Sequence, residues 1–168
     1  MDGWGVNHSK VLGLKCELER IHPEIHINAI EKDIDKNSLV EEEKNADVII
    51  WTVGSSDIQW EMNRTLKEQK CNARVIYTWL EAGGENSHIL SIDYNKQGCF
   101  QCLFTDNKGD LINNKANNVS EIDVNALKIR NGCGGTRVAY GNAVLLRTTA
   151  VLLSLIHISE PTRRTPIS

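Results

Sequence analysis

The run Asp47-Val-Ile-Ile-Trp-Thr-Val53 constrains the fold more than any other stretch of the chain. It is continuously apolar and β-rich instead of alternating. Such a strand is buried on both faces, and that burial is the mark of a parallel sheet covered by helices. Gly54-Ser-Ser-Asp57 follows as a turn with a helix cap, Ile58 to Gln69 reads as a helix, and Ala73-Arg-Val-Ile-Tyr-Thr-Trp-Leu80 is a second β-rich run. Upstream, Val11, Leu12, Leu14, Leu18 and Ile21 fall close to helical spacing behind a candidate N-cap, Ser9, and Pro23 marks the end of that helix. Ile25-His-Ile-Asn-Ala-Ile30 alternates and reads as a strand, and the acidic segment Asp35 to Asn45 as a short surface helix from near Ser38. Strand, helix, strand, helix, strand at this spacing predicts an α/β fold with crossover helices.

Beyond Leu80 the pattern changes. His88-Ile-Leu-Ser-Ile-Asp93, a turn at Asn95-Lys-Gln-Gly98, and Cys99 to Phe104 read as an antiparallel hairpin. Thr105 to Asn118 is polar and reads as a long mobile loop, and Ala139 to Leu152 as a closing helix. Trp51, Trp60 and Trp79 belong to the core on this reading, and Glu41-Glu-Glu43 is a solvated face with no function.

The length of 168 residues is room for one domain, and 40% hydrophobic with 24% charged residues is a globular balance. With 19 basic and 22 acidic residues the formal net charge is -3, so nothing in it favours nucleic acid or an anionic membrane as partner. The apolar stretch from Ala143 to Leu146 is interrupted by Arg147, so no membrane span is expected, and the first residues lack a signal peptide's basic and apolar blocks. Five cysteines, an odd count, then point to reduced thiols in a cytosol. Cys16, in a helical pattern, reads as a small buried apolar residue, and Cys71 as inert.

Four places carry candidate chemistry. Lys10, at the start of the first helix, can reach phosphate oxygens with help from the helix dipole, although most lysines are simply solvated. Cys99-Phe-Gln-Cys102 is half of a tetrahedral zinc site or a redox pair; a hairpin position favours zinc, because redox pairs usually sit at a helix start. Cys133 lies between glycines in Gly132-Cys-Gly-Gly135, with Arg130 and Arg137 close in sequence to stabilise a thiolate. It is a nucleophile, an idle turn thiol or a third zinc ligand. His88 precedes an apolar strand and fits a core histidine held by a backbone bond.

Taken in order, these segments resemble the ThiF/MoeB/HesA superfamily of activating enzymes. Ser9-Lys-Val-Leu-Gly-Leu-Lys-Cys-Glu-Leu-Glu-Arg-Ile-His-Pro23 is similar to the family's helix, Ala46-Asp-Val-Ile-Ile-Trp-Thr52 to its central strand, and Cys99-Phe-Gln-Cys102-Leu to its zinc half-site. Tyr77-Thr-Trp-Leu-Glu-Ala82, Ser87-His-Ile-Leu90 and Gly132-Cys-Gly-Gly135 with Tyr140-Gly141 are closer to the branch found in bacterial antiphage operons of the CBASS type. The resemblance covers about residues 8–152. It implies the C-terminal part of a Rossmann-like mixed sheet, with ATP, Mg2+ and Zn2+ as cofactors. The partner it implies is a ubiquitin-like protein or conjugating enzyme whose C-terminus is adenylated, and the family fold implies a homodimer. On the same basis Lys10 contacts nucleotide phosphates, Cys99 and Cys102 bind zinc, and Cys133 forms the thioester. The sequence departs from the family where its magnesium-holding Asp falls on Gly54 or a neighbouring serine, with Asp57 as a substitute.

No strand precedes Gly3-Trp-Gly5, so the phosphate-cradling turn of such a domain is not there. Residues 1–152 are therefore expected to be a partial domain without its N-terminal nucleotide-binding βαβ unit, inactive in ATP exchange by itself. Leu153-Ser-Leu-Ile-His-Ile-Ser-Glu-Pro-Thr-Arg163 resembles a translated sequencing adapter, so 153–168 is expected to be an artefact. The competing reading is a non-catalytic homologue that keeps the fold and zinc for dimerisation or docking. A nicotinamide-dependent dehydrogenase half is disfavoured by the missing fingerprint.

Overall fold

The computed structural model describes residues 9–53, 55–81, 86–112, 115–116, 128–130, 136–138 and 141–159. They fall in two units, Met1–Asp35 and Lys36–Ser168.

In the first unit, helix α1 (Lys10–Ile21) starts where the sequence places it. The Ser9 hydroxyl accepts the Leu12 N–H at 3.5 Å, and the His22 N–H closes the helix on the Leu18 carbonyl at 2.8 Å, just before Pro23. No residue of α1 is buried, and Val11, Leu12, Leu14 and Ile21 are exposed. Cys16, expected to be buried, is exposed as well. The segment Ile25–Ile30 is not a strand. Alternation only qualifies a segment for pairing, and among the described residues it has no ladder partner to satisfy its backbone groups.

The second unit is built on a mixed sheet in the order β1-β2-β3, comprising β1 (Val48–Trp51), β2 (Arg74–Leu80) and β3 (Ser87–Ile92). β1 pairs parallel with β2, from Val48↔Arg74 to Trp51↔Tyr77, and the connection between them contains α3 (Ser56–Glu68). β3 then returns antiparallel to β2, from Val75↔Ile92 to Leu80↔Ser87. The expected α/β fold with crossover helix and antiparallel hairpin is present, but the hairpin is β2–β3. Cys99–Phe104, expected as the second arm, instead forms a 3-10 turn at Phe100–Leu103. The Cys102 and Phe104 N–H groups bond back three residues, to the Cys99 and Gln101 carbonyls, and the Phe100 N–H goes to a side chain, so these donors have no strand to pair with.

Register puts Ile49, Trp51, Val75, Tyr77 and Ile92 on one face of the sheet. That face meets Leu39 of α2 (Lys36–Glu43), Met62 and Leu66 of α3, and Phe100 in one buried cluster. α3 supplies Gln59, Met62, Asn63 and Leu66 at i, i+3, i+4 and i+7, the stripe a core-facing helix needs. It ends in a Schellman motif. Lys70 takes φ 52°, its N–H bonds the Lys67 carbonyl at 3.2 Å, and the Cys71 N–H bonds the Leu66 carbonyl at 2.9 Å. α4 (Asn142–Ser159) packs against β2 and β3 and buries Val144 and Thr148. Beyond Leu152 the chain prolongs α4 as far as Ser159. A separate ribbon pairs β4 (Lys128–Arg130) with β5 (Thr136–Val138), which no sequence pattern announced.

Part of the long loop, residues 105–112, makes local hydrogen bonds. Thr105 bridges Leu111, and the Asp106 carboxylate accepts the Lys108 and Asp110 N–H groups at 2.8 and 2.9 Å. No helix among the described residues is long and apolar enough to cross a membrane.

Cys71 gives a pH test of the core. Burial, with the Glu43 carboxylate as second cause, pushes its thiol up to about 12 from an ordinary 9.0, while its Sγ rests 3.7 Å from the Ala73 carbonyl. The folded state therefore holds the proton more tightly than the unfolded state does. The contribution is fully present below pH 9 and is lost as pH rises from 9 towards 12. Urea unfolding at pH 7 and pH 10 should show stability falling over that interval in the wild type and falling less in Cys71→Ala. Equal losses in both proteins would remove Cys71 as the cause.

Candidate functional site

Asn63 organises the best-defined polar site. It is 1% exposed, and its Oδ1 accepts two donors, the Tyr94 hydroxyl at 2.8 Å and the Phe100 N–H at 3.0 Å. The Tyr94 hydroxyl also meets that of Tyr77 at 2.9 Å, and burial pushes both phenols up, so they remain neutral hydrogen-bonding groups. Phe100 stacks on Tyr77 with ring centroids 4.6 Å apart. One helix residue and two tyrosines thus hold the start of the Cys99–Cys102 turn. Gly98, at φ +104°, makes the reversal into it, a conformation that side chains rarely adopt.

The turn brings the Cys99 and Cys102 sulfurs to 3.5 Å. Cys99 is buried and Cys102 exposed. Burial raises the Cys99 thiol, but this is outweighed by hydrogen bonds from the Cys102 side chain and backbone, the Lys67 charge and the Gln101 backbone, so the thiol lies below its ordinary value. Lys67 Nζ stands 3.6 Å from Cys99 Sγ. The sequence reading missed Lys67, although it lies four residues after Asn63 on one face of α3, which is the spacing that carries both to the same turn.

A second polar pair lies where β2 ends and β3 begins. His88 Nε2 meets Glu81 Oε1 at 2.6 Å, and the imidazole stacks on Trp79 at 4.8 Å. The expectation of a core histidine held by a backbone bond is therefore corrected, since its partner is a carboxylate. Glu81 Oε2 is buried and has no hydrogen-bond partner among the described residues.

The remaining predicted residues are Asp57, Lys10 and Cys133. Asp57 is exposed in the first turn of α3, behind a β1–α3 turn whose Val53 carbonyl accepts the Gln59 amide. Lys10 is exposed as the first residue of α1, in the other unit. Cys133 lies outside the described residues, in the stretch that links β4 to β5.

The ThiF family description matches residues 3–160, nearly the whole chain. The chain belongs to the ThiF family. No curated protein matches it. A ThiF chain is the fold of an adenylyltransferase-like activating enzyme, and the mixed sheet with its β1–α3–β2 crossover agrees with that family's Rossmann-like architecture. For the zinc implied for it, the described residues offer only part of a donor set. A structural zinc is closed by four donors, whereas Cys99 and Cys102 give two, and no group of three or more His, Cys, Asp or Glu assembles among the described residues.

Proposed function

We propose that this ThiF chain is part of an ATP-dependent activating enzyme that adenylates the C-terminus of a ubiquitin-like or partner protein and passes it to a cysteine. The observation that carries this reading is the family match across residues 3–160. In it, Lys10 contacts the nucleotide phosphates, Asp57 at the β1–α3 turn stands in for the family's magnesium-holding aspartate, and Cys133 accepts the acyl group. The loops after parallel strands are where α/β sheets bind ligands, and Asp57 follows β1 there. Catalysis needs little covalent help from the protein at the first step. A carboxylate attacks the α-phosphorus and pyrophosphate leaves, with positioned charges stabilising the transition state. A thiolate then attacks the acyl-adenylate carbon, forming a thioester and expelling AMP. Within the family, the motifs around Glu81, His88 and Cys133 favour the branch of antiphage operons, acting in the cytoplasm as a homodimer.

The test is made on the reading frame extended upstream in the source DNA, with ATP, Mg2+ and a candidate acceptor protein. Pyrophosphate–ATP exchange is expected, as is an acceptor adduct that a reducing agent releases. Cys133→Ala should abolish the adduct and leave exchange intact; an adduct that persists in this variant places the nucleophile elsewhere. Asp57→Asn should lower exchange by roughly 100-fold, the scale of losing one preorganised charge contact. The absence of an aspartate at Gly54 favours a second reading, a docking module of the same fold. Acceptor binding without any exchange would establish that one.

A further inference from the structure

We propose that His88 is the base that takes the proton from the capturing thiol in the second step, with Glu81 as its positioning residue. The inference rests on the activating reading above. In that reaction the first nucleophile is already a carboxylate and sheds no proton, whereas a thiol is a weak nucleophile until it loses one. A base is needed once, and the Glu81–His88 pair has the form of one, an imidazole whose orientation is fixed by a hydrogen-bonded carboxylate. A carboxylate oxygen only accepts, so the 2.6 Å contact puts the hydrogen on Nε2 and, in the neutral ring, leaves the lone pair on Nδ1. The stack on Trp79 holds the ring plane. The imidazole side chain is 16% exposed and the carboxylate side chain 8%, so His88 is the member presented to a substrate and Glu81 its support. His22 also meets a carboxylate, that of Glu24, but at 3.3 Å on the exposed surface of the other unit, where water competes for both.

Place and energetics point the same way. β1 and β2 run parallel, so Glu81, which follows Leu80 at the carboxyl end of β2, lies at the same edge of the sheet as the β1–α3 turn and Asp57. That is the edge at which α/β sheets bind their ligands. A carboxylate buried for stability alone would have both oxygens bonded, yet Oε2 has no hydrogen-bond partner among the described residues. Its unused acceptor capacity suits a carboxylate that balances an imidazolium formed during the reaction. In the step itself the thiol gives its proton to His88 Nδ1, the sulfur attacks the acyl carbon, and the bond from that carbon to the phosphate oxygen breaks. AMP leaves with the bonding electrons, the thioester forms, and the imidazolium beside Glu81 returns its proton to water.

The experiment uses the reading frame extended upstream, with ATP, Mg2+ and a ubiquitin-like protein with a free C-terminus as acceptor. It follows pyrophosphate–ATP exchange and the rate of the reducible adduct side by side. At pH 7 the adduct rate should fall further than exchange does, by roughly 100-fold in His88→Asn and about 10-fold in Glu81→Gln. The deficit should shrink as pH rises to about 9, where an ordinary thiol ionises unaided. Equal losses of exchange and adduct, or a deficit that does not change with pH, make the pair a structural clamp and overturn the inference. An adduct rate that keeps pace with exchange in both variants overturns it as well, while leaving the activating reading in place. A wild type that gives no exchange or no adduct removes that reading itself, and this inference with it.

Discussion

Asn63→Ala is expected to destabilise the Lys36–Ser168 unit by about 3 kcal/mol or more, because it leaves two buried donors without an acceptor. The Tyr94 hydroxyl and the Phe100 N–H both end on Asn63 Oδ1, at 2.8 and 3.0 Å, in a region closed to water. A lost hydrogen bond between exposed groups is replaced by solvent, whereas here the desolvation cost of each donor stays in the folded state. Asn95→Ala is the control. Its side chain bonds Asn72 at 3.4 Å on the surface, so its removal should change stability by less than about 0.5 kcal/mol. Urea unfolding followed by tryptophan fluorescence measures both, and Asn63→Ala within about 1 kcal/mol of wild type would mean that the two donors find other partners. The same variant should expose Cys99 to alkylation, since the Phe100 N–H bond anchors the turn that buries it.

His88→Ala should cost about 2–4 kcal/mol, less than a fully buried pair because the imidazole side chain is 16% exposed. Glu81 keeps only 8% of its side-chain surface, and among the described residues Oε2 has no partner. Removing the imidazole takes away the 2.6 Å bond to Oε1, and with it the Trp79 stack. The signature is in the double mutant. Adding Glu81→Gln to His88→Ala replaces a buried charge by a neutral amide and should restore part of the loss, a coupling that a double-mutant cycle reads directly. If Glu81→Gln and His88→Ala instead add as independent losses, the pair is not the unit that stabilises this end of the sheet.

The turn that holds Cys99 and Cys102 shows where local sequence stopped being informative. Gly98 and the polar run before it signalled a reversal correctly, because positive φ is a local property that glycine alone meets without strain. What followed the reversal was set from a distance. Asn63, 37 residues earlier, takes the Phe100 N–H and so draws the chain into a 3-10 turn where its apolar pattern matched a strand equally well. His88 is a parallel case, for its partner is Glu81 across the reversal and not a backbone group, and only the β2–β3 register that sets Trp79 opposite His88 brings it near. Cys16 was misjudged for the converse reason, since helical spacing names a face without showing that anything covers it.

By itself the sequence determined the elements whose causes lie within a few residues. These are α1 behind its Ser9 cap, α3 with its apolar stripe, the buried run of β1, the β-rich run of β2, and the family that their order and motifs resemble. Tertiary structure alone decided which runs became strands and which thiol became the buried one. Ile25–Ile30 alternates as well as β3 does, yet among the described residues β3 has a neighbour to complete its hydrogen bonds and Ile25–Ile30 has none. Cys99 and Cys102, chemically identical and three residues apart, differ because Phe100 between them is stacked into the core on Tyr77 and carries one sulfur in with it. Propensity and capping are written in neighbouring residues, but pairing and burial need a partner that only the folded chain provides.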